Sequence, residues 1–266
     1  MIKKRLTGIV TIRNGLVVQS FGYNQYLPIG KPKVVIENLD RWGCDEIFIQ
    51  VIDRSINNLG PDIELLKSIA SSTILTPIIY AGGIQNEAQA TEVIRAGAER
   101  ICLDALLNKN LVEVKKIAKR IGGQSVVGCL PVGIDINGTA YWYNYQTKEK
   151  CLIGEHLLSL VEDNLISEIL LTDWKNEGYN EGFDFRVLNI IKKYNLNVPL
   201  ILFGGLSSEK ILKKALDIPM VVSVAVGNRL NYSEHSIQTL KKQLSSRHLR
   251  PAYYHDKSIN RFYEKN

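Results

Sequence analysis

The stretch PIIYAGGIQNEAQATEVIRAGAERICLDA, residues 77 to 105, reads as a short buried strand ending in a glycine turn, a helix with an Ala/Ile/Val face, and a second buried strand. These make one βαβ unit. Gly82 and Gly83 stand where the first strand leaves the sheet, so backbone N–H groups there can approach an anion closely at the start of the following helix. A single GG pair after a strand says little. A second stretch, PLILFGGLSSEKILKKALDIPMVVSVAVGN at residues 199 to 228, repeats the layout, with Gly204 placed 122 residues after Gly82. The strand DEIFIQV from Asp45 recurs at the same step as SEILLTD from Ser167. Two halves of equal plan follow, at about 1–122 and 123–246.

Outward from these units the chain alternates strand and helix almost throughout. RLTGIVTI and EIFIQVI precede the first unit, and SVVGCL and EILLTD precede the second. Two excursions, VVQSFGY after Asn14-Gly15 and GIDINGTAYWYNY with Asn-Gly at its tip, interrupt the pattern as hairpins. Eight near-continuous apolar strands separated by amphipathic helices predict an α/β fold: one (β/α)8 TIM barrel over 1–246 with an internal half-barrel repeat, and a basic, aromatic tail at 247–266. A doubly wound open sheet is the alternative. The 266 residues, 45% of them hydrophobic, suit one domain of that size.

No apolar run reaches the roughly 18 residues of a membrane span, and MIKKRLTG leads straight into a strand, so a cytoplasmic protein is expected. Cys44, Cys102, Cys129 and Cys151 lack CxxC spacing and read as reduced thiols, with Cys102 and Cys129 as small apolar core residues. His156, His235, His248 and His255 fall on outer helices or in the tail without ligand spacing, so neither metal nor cofactor is expected. The net charge of +6 accompanies no nucleic-acid motif, and an anionic small molecule is the expected ligand rather than nucleic acid.

Barrels carry their chemistry on the loops that follow the strands. Those loops contain Thr11 and Gln19, Asp53, Gly82 and Gly83, Asp104, Leu130, Asp173 with Lys175 and Glu177, Gly178, Gly204 and Gly205, then Gly227 and Asn228. Gly83, Gly178, Gly204, Gly205, Gly227 and Asn228 are the phosphate candidates, against the plainer reading that glycines there only permit tight turns. Asp53, Asp104 and Asp173 are the carboxylates available for acid–base work. The AYWYNY run is either a stacking lid or cross-strand packing.

The chain resembles the cyclase subunit (HisF family) of imidazole glycerol phosphate synthase. The resemblance rests on KKR at 3–5, NGLVVQS at 14–20, GCDEI at 43–47, AGGI at 81–84, AGAERI at 96–101, SEILLTD at 167–173, EGxxxGFD at 177–184 and FGG at 203–205. It implies a lyase-type barrel in a glutamine amidotransferase complex, fed with ammonia by a HisH-like glutaminase docked on the N-terminal face. The family's two catalytic aspartates, ending strands one and five, correspond here to Thr11 and Leu130, its lysine to Gln19, its strand-two acid to Val51, and its Asn-Thr phosphate contact to Asp104-Ala105. A threonine or leucine cannot do the work of a carboxylate near neutral pH.

The four charges that gate ammonia entry in the family correspond to Arg5, Glu46, Arg100 and Glu168, each with its sign kept. Charges at a barrel bottom also serve stability alone. A kept intake beneath a rewritten top is similar to the paralogues of surface-glycan acetamidino-sugar biosynthesis, as is the YxxIGKP run at Tyr26–Pro32. The resemblance thus implies an ammonia-accepting synthase subunit for amidation of a nucleotide-sugar or glycan precursor. The alternatives are a histidine-pathway cyclase with displaced acids and a non-catalytic barrel that activates a glutaminase.

Overall fold

The computed structural model describes residues 3–153, 156–244 and 248–253, and of His156 the backbone only. Its strands are β1 (Arg5–Arg13), β2 (Leu16–Phe21), β3 (Gln25–Gly30), β4 (Glu46–Val51), β5 (Ile78–Ala81), β6 (Arg100–Leu103), β7 (Val126–Ile134), β8 (Ala140–Asn144), β9 (Glu149–Cys151), β10 (Glu168–Asp173), β11 (Leu200–Phe203) and β12 (Val221–Val226). The helices are α1 (Pro32–Arg41), α2 (Ile52–Ile56), α3 (Ile63–Ala70), α4 (Glu87–Arg95), α5 (Ala105–Lys109), α6 (Leu111–Ile121), α7 (His156–Glu162), α8 (Asn189–Lys193), α9 (Glu209–Leu216) and α10 (Ser236–Leu244). Parallel pairing runs β1, β4, β5, β6, β7, β10, β11, β12, and β12 returns to β1. That closure is the barrel and excludes the open sheet.

The uniformly apolar strands are explained by burial on both faces. One alternate set points to the barrel axis: Ile9, Phe48, Ile79, Cys102, Val127, Leu170, Ile201 and Ala225, one from each barrel strand. The other set, including Val10, Ile49, Leu130 and Leu171, packs under the helices. Helix starts are fixed locally, since Asn86, Asn110 and Ser208 each accept the backbone N–H three residues on. Pro32 opens α1, where its missing N–H costs nothing.

The paired glycines have a steric reason in both halves. A β-carbon at Gly82 would lie 2.5 Å from the Val51 carbonyl oxygen, and one at Gly204 would overlap the equivalent Asp173 carbonyl, with φ at +135° and +92°. No other residue fits there, whatever binds above.

The excursions differ from expectation in having a second strand each, β3 against β2 and β9 against β8. The loops holding Asp53 and following Asp104 are single-turn helices, α2 and α5.

At the opposite mouth, Lys4 pairs with Leu249, its backbone N–H bonding His248 and its carbonyl accepting from Arg250. The start of the tail therefore lies along the start of β1, with Leu249 buried. His255 and residues 254–266 lie outside the described residues.

Candidate functional site

At the N-terminal mouth, β1, β4, β6 and β10 each begin with a charged side chain, and the strand register brings the four together. Arg5 Nη2 lies 2.6 Å from Glu168 Oε2, and Arg5 Nε lies 3.5 Å from Glu46 Oε2. Arg100 Nη1 bridges Glu46 Oε1 at 3.2 Å and Glu168 Oε2 at 3.0 Å. Two cations and two anions thus alternate in a closed, largely buried ring. Thr7 donates to Glu46, and Arg100 also reaches Ser167. Burial works to lower the pKa of Arg5 and to raise that of Glu46. The carboxylates of Glu46, Glu168 and Asp45 outweigh it at Arg5, which ends above its ordinary value, whereas Glu46 stays raised despite both arginines. The charges cancel, and each carboxylate keeps both arginine partners.

At the C-terminal mouth, a cavity of about 560 Å³ opens between the two excursions and the ends of β4, β5, β6 and β7. Its lining includes Tyr23, Gln50, Asp53, Asp104, Cys129 and Tyr145. Thr11 sits below it, accepting from Gln50 Nε2 at 2.6 Å, while Tyr23 donates to Gln50 Oε1 at 3.1 Å. The strand-two position that faces inward is therefore Gln50, and Val51 belongs to the outer layer.

A similar correction applies to strand five. Leu130 packs under the helices, so it cannot be the residue presented to the barrel top. Cys129 faces the interior, and by strand alternation Pro131 does too. Neither is a carboxylate. Cys102 belongs to the buried axial cluster with Cys129 packed against it, as expected of small core residues, and both also form part of the cavity lining. Hydrogen bonding between the two thiols, together with burial, pushes the Cys129 pKa well up, so it is no ready nucleophile.

The three nominated carboxylates separate. Asp53 and Asp104 line the cavity. Asp53 Oδ2 accepts the Asn14 N–H at 2.9 Å, leaving Oδ1 buried without a hydrogen bond. Burial pushes the Asp104 carboxyl up to about 7, against the Trp142 side-chain hydrogen bond and the Lys109 charge. Asp173 is instead tied at 2.7 Å to both Asn176 Nδ2 and the Asp184 N–H, outside the cavity. It organises the loop after β10 and is removed from the acid–base candidates.

The glycine sites also divide. The Gly83 N–H already donates to Ser55 Oγ at 2.9 Å. Gly178 has Ser20 backbone against its α-carbon, and Asn228 pairs with the Ser20 backbone, its Oδ1 accepting the Ser20 N–H and its Nδ2 donating to the Ser20 carbonyl. Gly204 and Gly205 are buried beneath the β11 loop, and Gly227 caps the 3₁₀ turn Asn228–Asn231. Gln19 lies on β2 opposite Leu27, away from the cavity lining. Lys175 donates to the Ile134 carbonyl.

Sequence reasoning missed the latch that holds the first excursion down. Glu177 Oε2 accepts from Ser20 Oγ at 2.9 Å and the Tyr23 N–H at 3.2 Å, and its own carbonyl accepts from Gly22. Burial raises its pKa to about 7. The folded protein thus binds this proton more tightly than the unfolded chain does. The stability Glu177 supports is fully present below about pH 4.5 and falls as pH rises through about 7. Glu177→Gln, which keeps the accepting oxygen, is expected to gain on the order of 1–3 kcal/mol at pH 8 and almost nothing at pH 4. Urea titrations at the two pH values check this; equal effects at both would reject it.

The aromatic run of the second excursion divides by face. Trp142 is buried, while Tyr143 stacks on Trp174 at 3.9 Å and Tyr145 meets Tyr23 at 4.7 Å between ring centroids. Tyr143 and Tyr145 line the cavity, so this hairpin is one of its walls.

The histidine biosynthesis protein family matches residues 5–236. The imidazole glycerol phosphate synthase subunit HisF of Dictyoglomus thermophilum is 28% identical over 252 residues, covering 93% of this chain and 97% of its own. The subunit of the same name from Streptococcus mutans is 24% identical, covering 92% and 97%. A Vibrio vulnificus protein provisionally named subunit hisF2 of that synthase is 27% identical, covering 92% and 89%.

Proposed function

The chain belongs to the histidine biosynthesis protein family, and on that premise we propose that it is the ammonia-accepting subunit of a two-protein amidotransferase, acting on a nucleotide-sugar or glycan precursor. The observation that carries this reading is the closed ring of Arg5, Glu46, Arg100 and Glu168 at the N-terminal mouth. Such a ring is neutral overall, and because each carboxylate has two arginine partners, one ion pair can part while the other still compensates the buried charge. Above it the axis is lined by Ile9, Phe48, Ile79, Val127, Leu170 and Ile201. Apolar walls favour neutral ammonia over ammonium, whose desolvation is costly. That relatives of this chain are named as subunits of a synthase supports a partner protein for it.

The acceptor is assigned away from the usual cyclase substrate because no carboxylate faces inward beside Thr11 or on β7. In this reading an anionic group of the acceptor rests on the amides around Gly204, Gly205 and Gly227, since Gly83, Gly178 and Asn228 are engaged within the protein. One observation favours a second reading, the cyclase with displaced acids: Asp53 and Asp104 both line the cavity. The scaffold reading needs neither cavity nor passage.

Mixing the chain with its glutaminase is the deciding experiment. A one-to-one complex should form, and glutamine hydrolysis should rise on binding. Arg5→Ala removes one partner from each of Glu46 and Glu168. Glutamine should then still be consumed while nitrogen reaching the acceptor falls about tenfold, the scale of one lost charge-assisted contact of 1–2 kcal/mol. Ile79→Trp should block the axis with the same signature. Transfer unaffected by either change would leave only the scaffold, and the absence of any complex would end the proposal.

A further inference from the structure

The Asp104 corner of the cavity holds more unmet polarity than the passage of ammonia requires. Asp104 caps the end of β6 and is approached by the Trp142 indole. The titratable groups that face it are Lys109 on α5, Cys129 on β7, Tyr145 beyond β8, and Tyr23 from the first excursion. Lys109, the cation among them, is turned to Gln146 Oε1 at the exposed rim. The Tyr145 hydroxyl is buried and has no hydrogen-bond partner, although its ring lines the cavity. An orphaned phenol within electrostatic reach of a carboxyl, in a cavity whose lining also includes the rings of Tyr23 and Phe48, asks for a ligand that is cationic, small and rich in N–H donors.

We propose that this corner is a docking site for an ammonium ion or a primary amine that reaches the cavity from solvent, in which Asp104 accepts the proton that such a nitrogen, unlike ammonia delivered along the axis, must lose before it can act as a nucleophile. The step balances without a co-reactant: one N–H bond of the ammonium breaks, its electron pair stays on nitrogen as the lone pair of ammonia, and the proton forms the O–H of the Asp104 carboxylic acid. Tyr145 accepts a second N–H and fixes the orientation. That burial holds the Asp104 carboxyl near 7 in the empty site agrees with this, because a carboxyl poised there can take and return a proton at neutral pH. A divalent metal is disfavoured by the donor set, which offers one carboxylate where such ions need several hard oxygen ligands.

The proposal rests on the ammonia-accepting reading for its purpose but not for its test, because the probe enters from solution with no glutaminase present. Protein labelled with ¹³C at aspartate carboxyls is titrated with acid in potassium chloride and then in ammonium chloride of equal strength, with Asp104→Asn identifying the signal. The Asp104 midpoint is expected to fall by about half a unit once ammonium exceeds about twice its dissociation constant. Methylammonium should act likewise, tetramethylammonium should not, and Tyr145→Phe should shrink the shift severalfold. An equal midpoint in potassium and ammonium overturns the proposal, as does a Tyr145→Phe response equal to that of the parent. If the ammonium shift appears but glutamine nitrogen never reaches an acceptor, the delivery reading fails and this site stands.

Discussion

Replacing Lys241 by Met is expected to cost about 3–5 kcal/mol and to lower the melting temperature by about 10 °C or more. Lys241 on α10 and Asp45 at the foot of β4 form an ion pair 2.8 Å apart, with side chains only 1% and 0% exposed. Lys241 also donates to the Gly43 carbonyl, and Asp45 accepts the Leu6 N–H at 2.8 Å. The pair therefore joins the first strand, the second strand and the last helix in one buried contact. Removing the ammonium alone leaves a carboxylate in the interior without its directly paired cation. The double change Lys241→Met with Asp45→Asn removes both charges and keeps an oxygen for Leu6, so it should recover at least half of the loss. Calorimetry on the three proteins checks this. A single variant within about 1 kcal/mol of the parent would show that water reaches the pair.

A histidine auxotroph lacking its cyclase subunit is expected to stay auxotrophic when given this chain. A positioned general acid or base contributes about 10²–10⁴ in rate, and both family positions are without one here, so a deficit of about 10⁴ or more follows. Thr11 is engaged by Gln50, and beyond Val127 the inward residues of β7 towards the C-terminal mouth include Cys129 and Pro131, neither of them an acid. Growth without histidine would favour the cyclase reading, with Asp53 and Asp104 in the cavity as the carboxylates to replace next. A barrel that neither complements nor binds a glutaminase would fit neither enzymatic reading.

The barrel was legible because its two signals, apolar strands and a glycine turn repeated at fixed spacing, are both local. The ring followed from the family resemblance alone, which picked out Arg5, Glu46, Arg100 and Glu168; each stands at the first residue of a strand, where the chain enters the apolar run. Strand five was misread by one residue because VVGCLPVG is small and apolar on both faces, so nothing marks which residue points inward, and a one-residue slip reverses every side chain. β3 escaped because QYLPIG contains Pro28 and is largely exposed, giving no alternation to detect. The Glu177 latch had no sequence signal, since Ser20 and Glu177 are 157 residues apart and meet only once the barrel has closed.

The bridge between Lys4 and Leu249 has a bearing on how the complex can be assembled and handled. Both ends of the folded barrel emerge beside the charged ring, on the face where ammonia would enter. A tether attached at Lys4 or Tyr253 thus begins on the face proposed above for the partner. A short linker would be enough to hold a second protein there at millimolar effective concentration, making a single-chain fusion with the glutaminase geometrically simple in either order. If the partner docks on that face as proposed, a bulky purification tag at either end would obstruct it, whereas a tag inserted at the exposed Ile136 tip of the second excursion would leave the face clear.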